Sequence, residues 1–158
     1  MFVFARAVTY ATLFVGLVLI FLPARVLTSS GIIPPAALGA WQTVGMLLAV
    51  TGAALALSCI VTFVIIGKGT PAPFDPPRRL VVQGPYRFVR NPMYIGAELV
   101  LVGAAFFYQS VALLGYAGGF FLVIHLFVVA YEEPTLRQTF GNDYTTYCEK
   151  TGRWWPRR

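Results

Sequence analysis

The stretch Gly84-Pro85-Tyr86-Arg87-Phe88-Val89-Arg90-Asn91-Pro92-Met93-Tyr94-Ile95-Gly96 begins as a polar turn and ends as an apolar helix. One hydrophobic hairpin later, Tyr131-Glu132-Glu133-Pro134 reverses the change. Both polar clusters fall where a lipid-embedded helix meets water. Cations, carboxylates, an amide and phenols are costly to hold there unless they bind something. Their placement at the ends of two adjacent helices points to the two halves of one binding site.

Working outward, Met93 to about Tyr108 and about Val111 to Tyr131 are apolar, and Gln109-Ser110 separates them, which predicts a tight helical hairpin. Upstream, an apolar run from about Val3 to Leu22 ends at Pro23, and another from about Leu38 to Ile66 is closed by Gly67-Lys68-Gly69. Each of these two reaches the roughly 20 residues a bilayer demands. Composition agrees, with 58% hydrophobic and only 11% charged residues, far from a soluble globular chain. The expected fold is an all-α integral membrane protein of about four transmembrane helices forming one domain over residues 1–158. A loop at 67–92 joins helices two and three, and the tail, 132–158, ends in an interfacial amphipathic helix. No separate soluble catalytic domain fits, so any chemistry belongs to the bundle.

Arg6 before the first apolar run invites comparison with a signal peptide. The length of the run, and the lack of a clear small-residue cleavage pair near Leu22-Pro23-Ala24-Arg25, argue for a retained anchor. Charge orients the bundle. Arg6, then Lys68, Arg78, Arg79, Arg87 and Arg90 in the loop, then Arg137, Lys150, Arg153, Arg157 and Arg158 in the tail share one side, against Arg25 opposite. By the positive-inside rule the amino terminus, both polar clusters and the carboxyl terminus face the cytoplasm, with the plasma or inner membrane as the expected location. A net charge of +6 needs no nucleic-acid partner, because basic residues beside anionic lipid account for it. The partner expected is a membrane lipid or lipophilic substrate.

Cys59 inside an apolar run and Cys148 in the tail read as two free thiols, and one His with two scattered Cys gives no metal-ligand spacing. Gly67-Lys68-Gly69-Thr70 lacks the first glycine and preceding strand of a phosphate-binding loop and reads as a helix stop. Pro71, Pro73, Pro76 and Pro77 stiffen the loop, and Leu80-Val81-Val82 runs into the turn signal Gln83-Gly84-Pro85. In the tail Leu136, Phe140, Tyr144 and Tyr147 recur at helical spacing with a break near Gly141, and Trp154-Trp155 beside Arg157-Arg158 reads as an interfacial anchor.

Gly84-Pro85-Tyr86 through Asn91-Pro92-Met93-Tyr94, then Glu132-Glu133, then Leu136, Phe140-Gly141, Tyr144 and Tyr147 resemble the isoprenylcysteine carboxyl methyltransferase and phospholipid methyltransferase superfamily. The likeness covers roughly residues 76 to 158, and several short motifs in the right order across a hairpin carry it. It implies an integral membrane methyltransferase that uses S-adenosyl-L-methionine on a lipid or lipid-like acceptor. By position, the implied cofactor contacts are Arg78, Arg79, Leu80, Val81, Tyr86, Asn91, Pro92, Met93, Tyr94, Glu132 and Glu133. Many relatives carry His where Asn91 stands. Val128 occupies the place where the isoprenylcysteine branch has an Arg associated with the acceptor. Tyr131-Glu132-Glu133-Pro134 resembles the phosphatidylethanolamine N-methyltransferase branch, whereas the Phe140-Gly141 and Tyr144 to Tyr147 spacing resembles the isoprenylcysteine branch, so the acceptor stays open between a lipid amine and an isoprenylcysteine-type carboxylate, leaning slightly to the amine.

Chemistry gives the same residues work independently. Glu132 or Glu133 suits an ammonium, Arg87 or Arg90 suits a carboxylate, and Tyr86 or Tyr94 offers an electron-rich face to a sulfonium. A hairpin turning near Gln109 to Val111 sets Asn91 level with Glu132 and Glu98 level with His125. Asn91, Tyr94 and Glu98 then share one helix face, and His125, Val128 and Glu132 another. Glu98 and His125 are thus candidate proton acceptors for an amine, or a polar clasp between the helices. Two other classes compete: a membrane reductase of the sterol-reductase type using NADPH, and a non-catalytic membrane protein.

Overall fold

The computed structural model describes Thr9 and residues 12–35, 37–67 and 79–157. Lys68, Arg78, the loop prolines and the first turns of the leading apolar run lie outside the described residues. Among the described residues the chain is helical, with no strand and one isolated parallel bridge, Val89 to Gly152. Its helices are α1 (Thr12–Ser29), α2 (Ala40–Gly67), α3 (Pro92–Phe107), α4 (Val111–Phe140) and α5 (Asn142–Lys150), with a 3₁₀ turn over Gly84–Arg87 before α3. Helices α1, α2 and α4 are long and apolar enough to cross a membrane, and α3 is a shorter apolar helix. This is an all-α integral membrane protein.

Two helices run past their expected ends. α1 runs through Pro23 to Ser29, and α4 runs through Pro134 to Phe140 instead of stopping at Tyr131. In each case a π-helical stretch comes first, Val15–Phe21 in α1 and Val128–Glu132 in α4. The wider turn resets the hydrogen-bond register, so the proline falls in the first turn of the α-helical segment that follows. There its missing N–H costs least. Glu132 and Glu133 therefore project from a continuing helix and are not frayed at its end.

The closest helix pair is α2 with α3. A Cβ on Gly52 would lie 2.5 Å from the Gly96 carbonyl oxygen, and one on Gly45 would lie 2.5 Å from that of Gly103. Two glycines seven residues apart on each antiparallel helix let the backbones touch, the packing that lipid-embedded helices favour because apolar burial alone does not drive them together. α3 and α4 turn at Gln109, whose φ is +50°, and Ser110 caps α4 by accepting the Leu113 N–H at 3.1 Å. α1 joins α4 through the Tyr116 hydroxyl, which donates to the Val18 carbonyl at 2.9 Å.

Beyond α4 the chain breaks at Gly141, with φ +54°. α5 then leads back to the loop before α3. The Arg90 N–H donates to the Gly152 carbonyl at 2.9 Å, and the Tyr147 hydroxyl donates to the Tyr86 carbonyl at 2.6 Å. Cys59 and Cys148 are both free thiols.

Candidate functional site

Tyr94 stands in the first turn of α3 and Glu132 in the π-helical turn of α4. Their side chains meet across the hairpin, the Tyr94 hydroxyl donating to Glu132 Oε2 at 3.0 Å. Tyr94 is buried, Glu132 is partly exposed, and no cation among the described residues lies within ion-pair distance of Glu132. Among the described residues Glu132 thus has the Tyr94 hydroxyl as its partner and no ion pair. The π-helical turn matters here because it shifts Glu132 relative to a regular α-helix, and such turns recur at functional sites.

Glu133, the adjacent candidate, is spent on the protein itself. It is buried and grips Arg153 with both oxygens, Arg153 Nε to Oε1 at 2.7 Å and Nη2 to Oε2 at 2.9 Å. Arg90 Nη2 approaches the same carboxylate at 3.2 Å. The bidentate fork raises the Arg153 pKa, with the Glu133 hydrogen bonds as the first cause. Arg90 also donates from Nη1 to the Cys148 sulfur. Neither Glu133 as an ammonium partner nor Arg90 as a carboxylate partner is free. One carboxylate desolvated among chain segments needs both guanidinium groups to offset its burial. Arg87 lies over the Phe88 ring at 4.4 Å and has no ion pair among the described residues.

The remaining implied contacts divide by depth. Val81 and Tyr86 are buried in a cluster with Cys59 of α2, against which Met93 and Phe63 pack, and Phe63 meets the Tyr86 ring edge-on at 5.2 Å. Burial pushes the Tyr86 phenol pKa well above its ordinary value, chiefly by desolvation. These side chains build the wall beneath the site. Pro92 is fully buried, and Asn91 is buried with Nδ2 donating to the Arg153 carbonyl at 3.3 Å. Arg79 and Leu80 border a separate open cleft of about 660 Å³ with Tyr147 and Lys150. Arg78 lies outside the described residues.

Glu98 and His125 do not form the expected clasp. Glu98 Oε2 is buried without a hydrogen-bond partner, one helical turn below Tyr94. The His125 ring is taken by the tail, where Trp154 Nε1 donates to its Nδ1 at 3.0 Å and the indole packs on Phe121 at 5.2 Å. A neutral imidazole that accepts on Nδ1 carries its proton on Nε2 and has no free lone pair, which removes His125 as a base in this arrangement. Trp154 is half-buried in the fold, whereas Trp155 is 81% exposed, so the expected anchor pair has two different roles. Gly152 is not singled out in the sequence, and Arg153 and Trp154 read there only as a cytoplasmic-side cation and an interfacial anchor, not as partners of Glu133, Asn91 and His125. The return of the chain after the Gly141 break places them, and no local pattern encodes it.

A family model described as phospholipid methyltransferase matches residues 41–143, a span that holds α2, α3, the loop between them and all of α4. No curated protein and no solved structure matches the chain.

Proposed function

From a chain that belongs to the phospholipid methyltransferase family, and so is a membrane methyltransferase acting on lipid, we propose S-adenosyl-L-methionine as methyl donor and a lipid amine as acceptor, meeting at the Tyr94–Glu132 seam. The observation that carries this is the charge of the seam. Among the described residues Glu132 is bound by the neutral Tyr94 hydroxyl alone, and Glu98 Oε2, on the same face, has no hydrogen-bond partner. Arg90 and Arg153 are committed to Glu133. Two carboxylates without an ion pair among the described residues suit positively charged ligands, the ammonium of the donor and a lipid amine.

The donor fits the residues present. Glu132 would hold its ammonium, the Tyr94 ring would lie toward its sulfonium, and Arg87 would take over the carboxylate role from Arg90. Bound there, the donor supplies an electrophilic methyl group for in-line displacement. The chain's work is to align acceptor and donor, to keep water out, and to take the proton that an ammonium headgroup must lose before it can attack. Glu98, deeper on the Tyr94 face, is the acceptor for that proton. The active site, the amino terminus and the carboxyl terminus face the cytoplasm in this proposal, following the basic loop and tail.

The test is methyl transfer from labelled S-adenosyl-L-methionine to phosphatidylethanolamine, a prenylcysteine and a small thiol, each presented to the purified protein in detergent or nanodiscs. Transfer to the amine lipid alone is expected, and transfer only to the prenylcysteine would overturn the choice of acceptor. Glu132→Gln should weaken binding of S-adenosylhomocysteine, measured by titration calorimetry, by about 1.5 to 3 kcal/mol through loss of a charged hydrogen bond. Unchanged affinity in a folded protein would remove Glu132 from the site.

Tyr94 supports that carboxylate and also offers its ring. Tyr94→Phe removes the bond to Glu132 but keeps the ring face, and a roughly tenfold weaker affinity is expected, about one hydrogen bond to a charged group. Tyr94→Ala should lose more. Equal losses in both folded variants would assign the whole contribution to the hydroxyl.

A further inference from the structure

The C-terminal segment Thr151–Trp154 is tied down at four points that belong to three different parts of the fold. Gly152 accepts the Arg90 N–H at 2.9 Å, and the Arg153 carbonyl accepts from Asn91 Nδ2 at 3.3 Å. The Arg153 guanidinium forks onto Glu133 at 2.7 and 2.9 Å. Trp154 Nε1 donates to His125 Nδ1 at 3.0 Å. Two of these ties hold the residues that open α3, one holds the neighbour of Glu132, and the last reaches about two turns down α4. A Cβ on Gly152 would fall within 1.9 Å of the Trp155 carbonyl oxygen, so the path admits only glycine there. A solvated tail needs none of this.

We propose that this segment is a strap closing the α3–α4 seam, and that Trp154 is the positioning residue that seats it. Trp154 acts through its neighbour Arg153, which fixes Glu133 and with it the helical turn presenting Glu132. The strap and the Tyr94–Glu132 pair form one unit, since Asn91, three residues before Tyr94, is held by the strap backbone. His125 is the receiver of the indole N–H. Its place in the polar stripe of α4 is explained by this contact and not by proton transfer. The consequence for the reaction rests on the proposed methyl transfer. The strap itself does not.

The test compares Trp154→Phe, which keeps a ring and loses the donor, with His125→Leu, which loses the acceptor, and His125→Gln, whose amide oxygen can accept. The full chain in nanodiscs is used throughout. In Trp154→Phe and His125→Leu the Michaelis constant for S-adenosyl-L-methionine is expected to rise about tenfold, the equivalent of one hydrogen bond, with kcat nearly unchanged. The double variant should be no worse than either single one, because both remove the same contact. His125→Gln should stay near the parent. Additive losses, or parental Michaelis constants in both single variants, would overturn the positioning role.

A second measurement does not depend on activity. Tryptic cleavage after Arg153 in the ligand-free protein should be slow in the parent, several-fold faster in Trp154→Phe and restored in His125→Gln. Equal cleavage rates in all of them would overturn the strap. If the parent neither binds S-adenosylhomocysteine nor transfers methyl groups while the cleavage rates separate as expected, the proposed function fails and the strap stands.

Discussion

Glu98→Gln is expected to slow methyl transfer to a lipid amine by about 100-fold or more at neutral pH, within the range that a positioned general base contributes, while the affinity for S-adenosylhomocysteine stays at the parental value. The expectation comes from what the side chain lacks. Glu98 lies one turn below Tyr94 on α3, and its Oε2 is buried with no hydrogen-bond partner. An orphaned carboxylate oxygen at that depth is expensive unless the atom is used. His125 is already engaged by Trp154, and Glu132 is the proposed partner of the donor's ammonium, which leaves Glu98 to take the proton. Glutamine keeps the size and polarity and removes only the basicity. Rates measured against pH at saturating donor decide the matter: raising the pH should partly restore Glu98→Gln, because solvent then deprotonates the amine. A folded Glu98→Gln protein with the parental rate at every pH would exclude Glu98 as the base.

Gly96→Leu should prevent α2 and α3 from meeting and cost about 3 kcal/mol or more, at or above the upper end of the range for overpacking. Even a single Cβ at Gly96 would approach the Gly52 carbonyl to 2.7 Å and the Ala56 nitrogen to 2.9 Å. Those are backbone atoms, which cannot rotate away as a side chain can. The helices must separate, and the cluster that Cys59 of α2 forms with Val81 and Tyr86 beneath the site loosens with them. Folded yield and thermal melting in detergent measure the effect, with Gly96→Ala expected to be intermediate. A Gly115→Leu control on α4, where a new Cβ meets no atom within 4 Å, should fold as the parent does. Parental melting of Gly96→Leu would refute the close approach.

Much of the bundle was legible from hydropathy. Apolar runs, the Gln109-Ser110 break and the Gly141 break reflect local preferences that act over a few residues. The helix-ending rule for proline misled at Pro23, and the end expected near Tyr131 came too early, since a π-helical turn that resets the hydrogen-bond register ahead of a proline is invisible in the immediate neighbours. The Gly45, Gly52, Gly96 and Gly103 spacing was present in the chain and went unread, although seven-residue glycine repeats on two apolar helices are a legible packing signal.

The candidate site divides in the same way. Antiparallel register across a short hairpin is enough to bring Tyr94 to Glu132, because helical rise and the turn position set which residues share a level. Which of two adjacent glutamates the rest of the chain claims is not a matter of register. Glu133 is claimed by Arg153, 20 residues later, and by Arg90, 43 residues earlier, and only the folded return of the tail brings these together. The sequence by itself determined the membrane class, the helical hairpin and the pair of facing polar stripes, since each follows from local composition and helical periodicity. Tertiary structure alone decided that Glu133, Arg90 and His125 are engaged with partners in the tail, while Glu132 meets Tyr94 across the hairpin and Glu98 Oε2 is buried with no hydrogen-bond partner. A buried charge or imidazole takes whatever partner the packed chain brings within reach, and that partner can come from anywhere along it.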